Sequence, residues 1–329
     1  MEQGDVLTDN TYISIAICTY NNAHILDQTL AALEEQHVSD TVDWSVLVVD
    51  NNSSDNTPLV VQHYAARGHI PGLRYIREEK QGVGYARKRA VEETASELVA
   101  FVDDDCRLEP DWVQQAVTFS RAHPQAGAMG GNIRLRWEVE PSQEILSYSQ
   151  CFAAQDYGAS ARRLETDALV GAGLVLRRDA LRASRWLERM ILSGRQGDAL
   201  SSTPHCEDIE LVFRIRNTEY ELWYNPAMRL EHYIPRRRMS LAYIRRLLQG
   251  TVLCGPILEA VANNKKPSFP HRLRAFYRTI KGSVRLSLSI AIRDLLLKRR
   301  LPAERKMAFL IQVSVVKAAF SALPGRFEI

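Results

Sequence analysis

The chain has 329 residues, 46% of them apolar and 25% charged, a balance that excludes a disordered protein and allows one large domain with an appendage. Its five cysteines, Cys18, Cys106, Cys151, Cys206 and Cys254, show no C-x-x-C spacing, which speaks against a zinc cluster or a disulfide framework and fits a reducing, cytosolic setting. The net charge of +3 conceals an asymmetry: through Tyr233 the chain carries 22 basic against 35 acidic side chains, and from Ile234 to Ile329 it carries 20 against 4.

The first ten residues, MEQGDVLTDN, are acidic and polar where a secretory signal is basic and then apolar, so export by that route is not expected. No internal repeat or low-complexity segment follows. Apolar runs at YISIAIC, DWSVLVVD, GLRYIR, ELVAFV and AGAMGGNIRL read as strands, and between them His24 to Gln36, Asn56 to Gly68, Gly82 to Thr94 and Pro110 to His123 carry apolar residues at helical spacing. Alternation of this kind predicts an α/β fold with a mainly parallel sheet covered by helices. Such sheets bind ligands beyond the carboxyl ends of their strands. TYNN, DNNSSDNT and VDDD all fall at such ends, so three polar clusters converge on one edge.

The last of these, in LVAFVDDDCRLEPDW, puts three carboxylates in a row. Alternate residues of an extended strand face the same way about 6.5 Å apart, so Asp103 and Asp105 can share a pocket while Asp104 points elsewhere. Magnesium or manganese suits such a pair, because each takes one or two carboxylates and fills its remaining positions with water or phosphate oxygens. The alternative is a solvated acidic loop ahead of the helix near Pro110. QGVGYARKRA sets Gly82 and Gly84 before a basic helix that carries Arg87, either beside a phosphate or as an ordinary solvated helix start. In DALVGAGLVLRRDAL, Gly171 and Gly173 interrupt an apolar run, the mark of a bulge or of a close backbone approach. CEDIELVFRIR reads as a helix start with Glu207 and Asp208 in its first turn and Ile209, Val212, Phe213 and Ile215 on its apolar face.

Taken in order, SIAICTYNN, VVDNNSSDNT, GVGYARKRA, FVDDD, GAGLVLRR and CEDIELVFRI resemble the glycosyltransferase family 2 enzymes of GT-A fold, over roughly residues 12 to 235. The resemblance implies a Rossmann-like catalytic domain, a nucleotide-sugar donor (a UDP-sugar foremost), a divalent metal, Mn2+ or Mg2+, on its diphosphate, and attack of an acceptor hydroxyl with inversion. By the same resemblance Thr19 and Asp50 contact the nucleoside, Asp103 the nucleoside or ribose, and Asp105 the metal. Tyr20, Asn21, Asn52, Gly82, Arg87, Asp104, Gly171, Gly173, Glu207 and Arg214 complete the expected donor site. Asp208 is the expected general base, and His232 stands where a histidine close to the metal or diphosphate is expected. The implied acceptor is a lipid-linked or polysaccharide hydroxyl in cell-surface polysaccharide synthesis. A non-catalytic scaffold of this fold and a nucleotidyltransferase on a related sheet are the alternatives.

The charge asymmetry predicts a boundary near Pro235, with a catalytic domain at 1–235 and a basic helical region at 236–329. From Arg272 to Leu296, apolar residues recur every three or four positions with Arg274, Arg278, Lys281 and Arg285 off the stripe, a basic amphipathic helix. The later apolar run, Met307 to Val316, is too short to span a bilayer. An anionic membrane surface is therefore the expected partner, with the protein peripheral on its cytoplasmic face. No motif for reading nucleic acid is present.

Overall fold

The computed structural model describes residues 11–195 and 205–264. The amphipathic stretch Arg272 to Leu296 and the run Met307 to Val316 lie outside the described residues. The first half alternates as expected: β1 (Thr11–Thr19), α1 (Ala23–Glu34), β2 (Val42–Asp50), α2 (Thr57–Arg67), β3 (Arg74–Arg77), α3 (Val83–Glu92) and β4 (Leu98–Asp103). There follow β5 (Cys106–Leu108), α4 (Trp112–Ala122), β6 (Ala126–Trp137), α5 (Gln143–Leu146), β7 (Arg162–Arg163), β8 (Leu174–Arg177), α6 (Arg178–Ser184), α7 (Trp186–Arg189), α8 (Glu207–Arg216), β9 (Glu221–Ile234) and α9 (Leu241–Ala262).

The strands form one nine-stranded sheet in the order β3-β2-β1-β4-β8-β6-β9-β5, with β7 added on β9. The quartet β3-β2-β1-β4 is parallel. Beyond it the sheet is mixed, since β8 is antiparallel to both β4 and β6 while β6 and β9 run parallel. Strand order reverses beside β1, with β2 on one flank and β4 on the other. At that switch point Thr19 lies abreast of Asp50 and Cys18 abreast of Asp103.

Alternation along β1 explains the layers. Ile13, Ile15 and Ile17 point into one core with Leu26, Leu30 and Leu33 of α1, Val61 of α2 and Trp112, Val113 and Val117 of α4. Ala16 points to the other face, where it meets Ala86 and Ala90 of α3, Leu181 of α6 and Leu211, Val212 and Ile215 of α8. A sheet covered on both faces has strands that are apolar nearly throughout, as β2 and β4 are.

The break expected at residue 235 is not a break in packing. Tyr243 and Ile244 of α9 join Ile145, Phe152 and Ile234 in a third apolar cluster, and α9 is capped by Ser240, whose hydroxyl accepts from the Tyr243 N–H at 3.2 Å. Residues 236–264 thus belong to the body of the fold, because their apolar face is needed to cover the end of β9. Among the described residues no helix is long and apolar enough to cross a membrane.

The long β6–β9 pairing is bulged between Gly130 and Asn132. A side chain at Gly131 would run into the Met228 backbone carbonyl of β9. Gly131→Ala is expected to lower stability by about 2–3 kcal/mol, the scale of overpacking in a rigid core. Gly255 of α9 precedes Pro256, whose ring crowds any β-carbon on the helical residue before it, so Gly255→Ala should lower stability in spite of alanine's better helix propensity. Urea unfolding of the two variants beside the unaltered chain checks both signs.

Candidate active site

The carboxyl ends of β1 and β4, the turn after β4 and the segment after β9 enclose a cleft of about 350 Å3. It is lined by Thr19, Tyr20, Asn21, Asn22, Asn51 and Gln81, by Asp103, Asp104 and Asp105, and by Arg195, Arg237, Arg238, Tyr243 and Arg246. The volume suits a small polar ligand.

The three aspartates have separate surroundings. β4 stops at Asp103 and the chain turns through Asp104 and Asp105 before β5, so the period of two does not carry through the motif. Asp104 therefore does not point away. Its Oδ2 accepts from the Thr19 hydroxyl at 2.6 Å, its Oδ1 from the Asn22 amide at 2.9 Å and its carbonyl from the Thr29 hydroxyl at 2.8 Å, clamping the loop after β1 to the end of β4. Burial and the adjacent Asp105 charge push its carboxyl above the usual range.

Asp105 is brought to His232 by sheet pairing. β5 runs antiparallel to β9 with Cys106 opposite His232, and the Tyr233 N–H donates to the Asp105 carbonyl at 2.8 Å. His232 donates from Nδ1 to the Phe152 carbonyl at 2.7 Å, which turns Nε2 toward Asp105 Oδ1 at 3.1 Å. Asp105 Oδ2 accepts from Arg238 at 2.7 Å. Burial opposes ionisation of Asp105, but His232 and Arg238 outweigh it and hold the carboxyl well below its usual range. Burial likewise opposes protonation of His232, and Asp105 outweighs it, raising the imidazole above its usual range.

Ligand atoms of Asp103, Asp105 and His232 lie within 4.8 Å of one another. The set fits a divalent cation on two further grounds. Asp105 Oδ1 and His232 Nε2 face each other at 3.1 Å, a pairing that needs a proton or a cation between their lone pairs. Two carboxylates and an imidazole also make a mixed oxygen and nitrogen donor set for a divalent cation, the carboxylates being ligands that suit Mg2+ and Mn2+.

Of the other expected donor-site residues, Tyr20 and Asn21 line the cleft, whereas Asp50, Asn52 and Gly82 hold the loops behind it. Asp50 is fully buried, with Oδ1 taken by the Ser53 N–H at 2.8 Å and Oδ2 by the Tyr75 hydroxyl at 2.6 Å, so it shapes the loop after β2. Asn21 and Asn52 both take positive φ at loop turns; Asn21 accepts from the Ser54 N–H and Asn52 from Arg77. Asn51 holds the Gly82 N–H at 2.7 Å, and Gly82 itself has φ +138, a backbone no β-carbon adopts comfortably. The first N–H groups of α3 are spent on the chain, Val83 donating to the Arg195 carbonyl and Gly84 to the Ser193 carbonyl.

Arg87 does not reach into the cleft as a solvated cation. It is 4% exposed and bridges Glu207 at 2.9 Å and Asp103 at 3.2 Å. Burial works against its charge, and the two carboxylates more than offset it, raising its pKa. Burial pushes Glu207 up against the pull of Arg87. Gly171 is small because a side chain there would strike the Arg87 guanidinium, and its N–H donates to Asp208 Oδ2 at 2.7 Å. Gly173, at φ +74, leaves room for Leu230. Asp208 Oδ1 accepts from the Ile209 N–H, and Asp208 is not part of the cleft wall. Arg214 turns away from the cleft to buried Glu210 and to the Arg189 carbonyl.

The sequence reading did not single out Asn22, Asn51 or the arginines at 195, 237, 238 and 246. Asn22 and Asn51 stand inside quoted motifs, so position within TYNN and DNN was the available signal. The arginines carried no such signal, since IPRRRMS reads only as a charge run.

Residues 14–184 match the family described as Glycosyl transferase family 2. Glycosyltransferase AglE of Haloferax volcanii is 28% identical over 127 residues, 38% of this chain and 40% of that protein. Validoxylamine A glucosyltransferase of Streptomyces hygroscopicus subsp. jinggangensis is 35% identical over 107 residues, 32% of this chain and 24% of that one, so the chain spans less than half the length of either relative. Among solved structures, the mannosyltransferase PcManGT from Pyrobaculum calidifontis, in complex with GDP-Man and Mn2+, superposes with a TM-score of 0.57 at 19% identity, covering 95% of this chain and 87% of that one. That likeness is one of fold, and the family match spans over half of the chain from β1 to the end of α6: the protein belongs to glycosyl transferase family 2 and has the GT-A fold.

Proposed function

We propose that the chain is a metal-dependent inverting glycosyltransferase that moves a sugar from a nucleotide-sugar to a hydroxyl of a glycan or lipid-linked acceptor. The observation that carries this reading is the meeting of Asp103, Asp105 and His232 at the sheet's switch point, beside a cleft also lined by Arg195, Arg237, Arg238 and Arg246. Asp103, Asp105 and His232 would hold Mn2+ or Mg2+, which when bound supplies positive charge for a departing diphosphate. Thr19, Asn22 and Asp104 shape the nucleoside end, and the arginines face the phosphates. GDP-Man and Mn2+ bound to PcManGT are consistent with that assignment.

Asp208 is the base in this reading. An acceptor hydroxyl needs a proton acceptor in a place separate from the cation, because a metal-bound carboxylate is a weak base. Arg87 and Glu207 stand between the two acidic sites: Arg87 pairs with Asp103 on one side, and Glu207 precedes Asp208 on the other. Glu207, fixed on Arg87, is a positioning residue. A nucleotidyltransferase would release pyrophosphate from a nucleoside triphosphate, a nucleoside diphosphate being the product here, and a scaffold would release neither.

The basic end of the chain supports a peripheral location on an anionic membrane surface. After Asn264 the sequence holds 15 basic and 3 acidic side chains, and each Lys or Arg near such a surface contributes about 1 kcal/mol.

Asp105→Ala is expected to abolish Mn2+-dependent binding of nucleoside diphosphates in calorimetry. Asp104→Ala should keep the response to Mn2+ alone but weaken nucleotide binding, because Thr19 and Asn22 lose their anchor; equal losses of Mn2+ binding in both variants would reject the metal assignment. In a nucleoside-diphosphate release assay, Asp208→Asn should lower turnover by roughly 10²-fold or more with donor affinity kept. Glu207→Gln should chiefly lower the melting temperature, and the reverse pattern would move the base to Glu207. In liposome flotation at low salt, truncation after Asn264 should release the protein from anionic vesicles, and retention by the truncated chain would remove the membrane role.

A further inference from the structure

Arg238 stands where a cation is wanted. It lies in the 3₁₀ turn Arg236–Arg238 between β9 and α9, and its guanidinium donates to Asp105 Oδ2 at 2.7 Å while His232 faces Oδ1. Asp105 is 4% exposed, and among the described residues its carboxylate is paired with these two cationic side chains. A buried carboxylate must have positive charge beside it, and a divalent cation on the same carboxylate neutralises the charge that holds the guanidinium and repels it across a few ångströms, so the two compete for Asp105 even though Arg238 sits on Oδ2 and His232 on Oδ1.

We propose that Arg238 is a resident counter-ion of Asp105 that the divalent cation displaces, and that the displaced guanidinium then pairs with the diphosphate of the nucleotide. This rests on the donor-and-metal reading above and adds the residue that couples the two ligands. Arg238 already lines the cleft, as do Arg237 and Arg246 from the same segment, so its release needs only a side-chain swing. The charges agree. With Arg238 on Asp105 the carboxylate is satisfied without metal; a cation alone must expel an arginine into a cleft that already holds Arg195, Arg237 and Arg246, whereas a cation arriving with a diphosphate gives that arginine a partner. Metal and nucleotide should each strengthen the other's binding, and Arg238 should carry much of that coupling.

The test is a gain of binding, which a merely structural role would not produce. Full-length Arg238→Gln should bind Mn2+ alone about tenfold tighter than the unaltered chain, by calorimetry and by the spin-resonance signal of free Mn2+, since its competitor is gone. The same variant at saturating Mn2+ should bind UDP or GDP, whichever the unaltered chain accepts, severalfold more weakly. Arg238→Lys, which keeps the charge, should lie between the two for both ligands and serves if the glutamine variant fails to fold. Unchanged or weaker Mn2+ binding by the variant that folds overturns the competition, and unchanged nucleotide binding overturns the hand-over. If the unaltered chain with Mn2+ binds neither UDP nor GDP, the donor reading falls and the hand-over with it, while the Mn2+ comparison still decides whether Arg238 competes for Asp105.

Discussion

The buried Arg87 guanidinium is the constraint on which the site is assembled. It ties four pieces of chain that are remote in sequence: α3, which bears it; the end of β4 through Asp103; the start of α8 through Glu207; and the turn at Gly171, which has room for it only because no side chain is present. A charge taken out of water is costly unless its partners are close and fixed, and removing one partner of such a pair leaves an uncompensated charge behind. The pair therefore acts less as a source of stability than as a register mark. It fixes Asp103, which lines the cleft, relative to the start of α8, where Asp208 follows Glu207.

A second level of order comes from the loops after β1 and β2. Asp104 holds Thr19 and Asn22, Asn21 and Ser53 bind one another's loops, and Asp55 accepts from the first N–H of α1 at 2.9 Å and from Thr57 at the start of α2. These bonds are local in space and distant in sequence. They tie the loops at the cleft edge to one another, and they explain why several polar residues of the motifs face the protein instead of the cleft.

The electrostatic face of the cleft is completed from the other end of the chain. Ile234, Tyr243 and Ile244 pack with Ile145 and Phe152, and that apolar cluster carries Arg237, Arg238 and Arg246 into position. Phe152 serves twice, since its ring joins the cluster and its carbonyl orients His232. Packing of an apolar helix face and the chemistry of the acidic cluster are thus linked through one residue.

The sequence alone determined the α/β alternation, the strand ends where polar clusters meet, the start of α8 and the family, because periodicity and motif order are local properties that survive without coordinates. Strand spacing also suggested that Asp103 and Asp105 share a pocket, and the resemblance set His232 and Asp105 at the metal with Asp103 at the nucleoside, whereas the structure brings all three together. Only the tertiary structure decided what each side chain does. The spacing of Asp103, Asp104 and Asp105 suggested that Asp104 faces away, but β4 ends at Asp103 and the turn sends Asp104 inward to Thr19. The helical pattern of α8 marked Ile209, Val212, Phe213 and Ile215 as its apolar face; Val212 and Ile215 are fully buried, but Ile209 and Phe213 are only partly so, and Glu210 is fully buried as well, held by the N–H groups of Ile191 and Leu192. The charge step near Pro235 looked like a domain boundary, yet residues 236–264 complete the cleft. In each case the deciding contact joins residues far apart in the chain, and neither charge counts nor periodicity records such pairings.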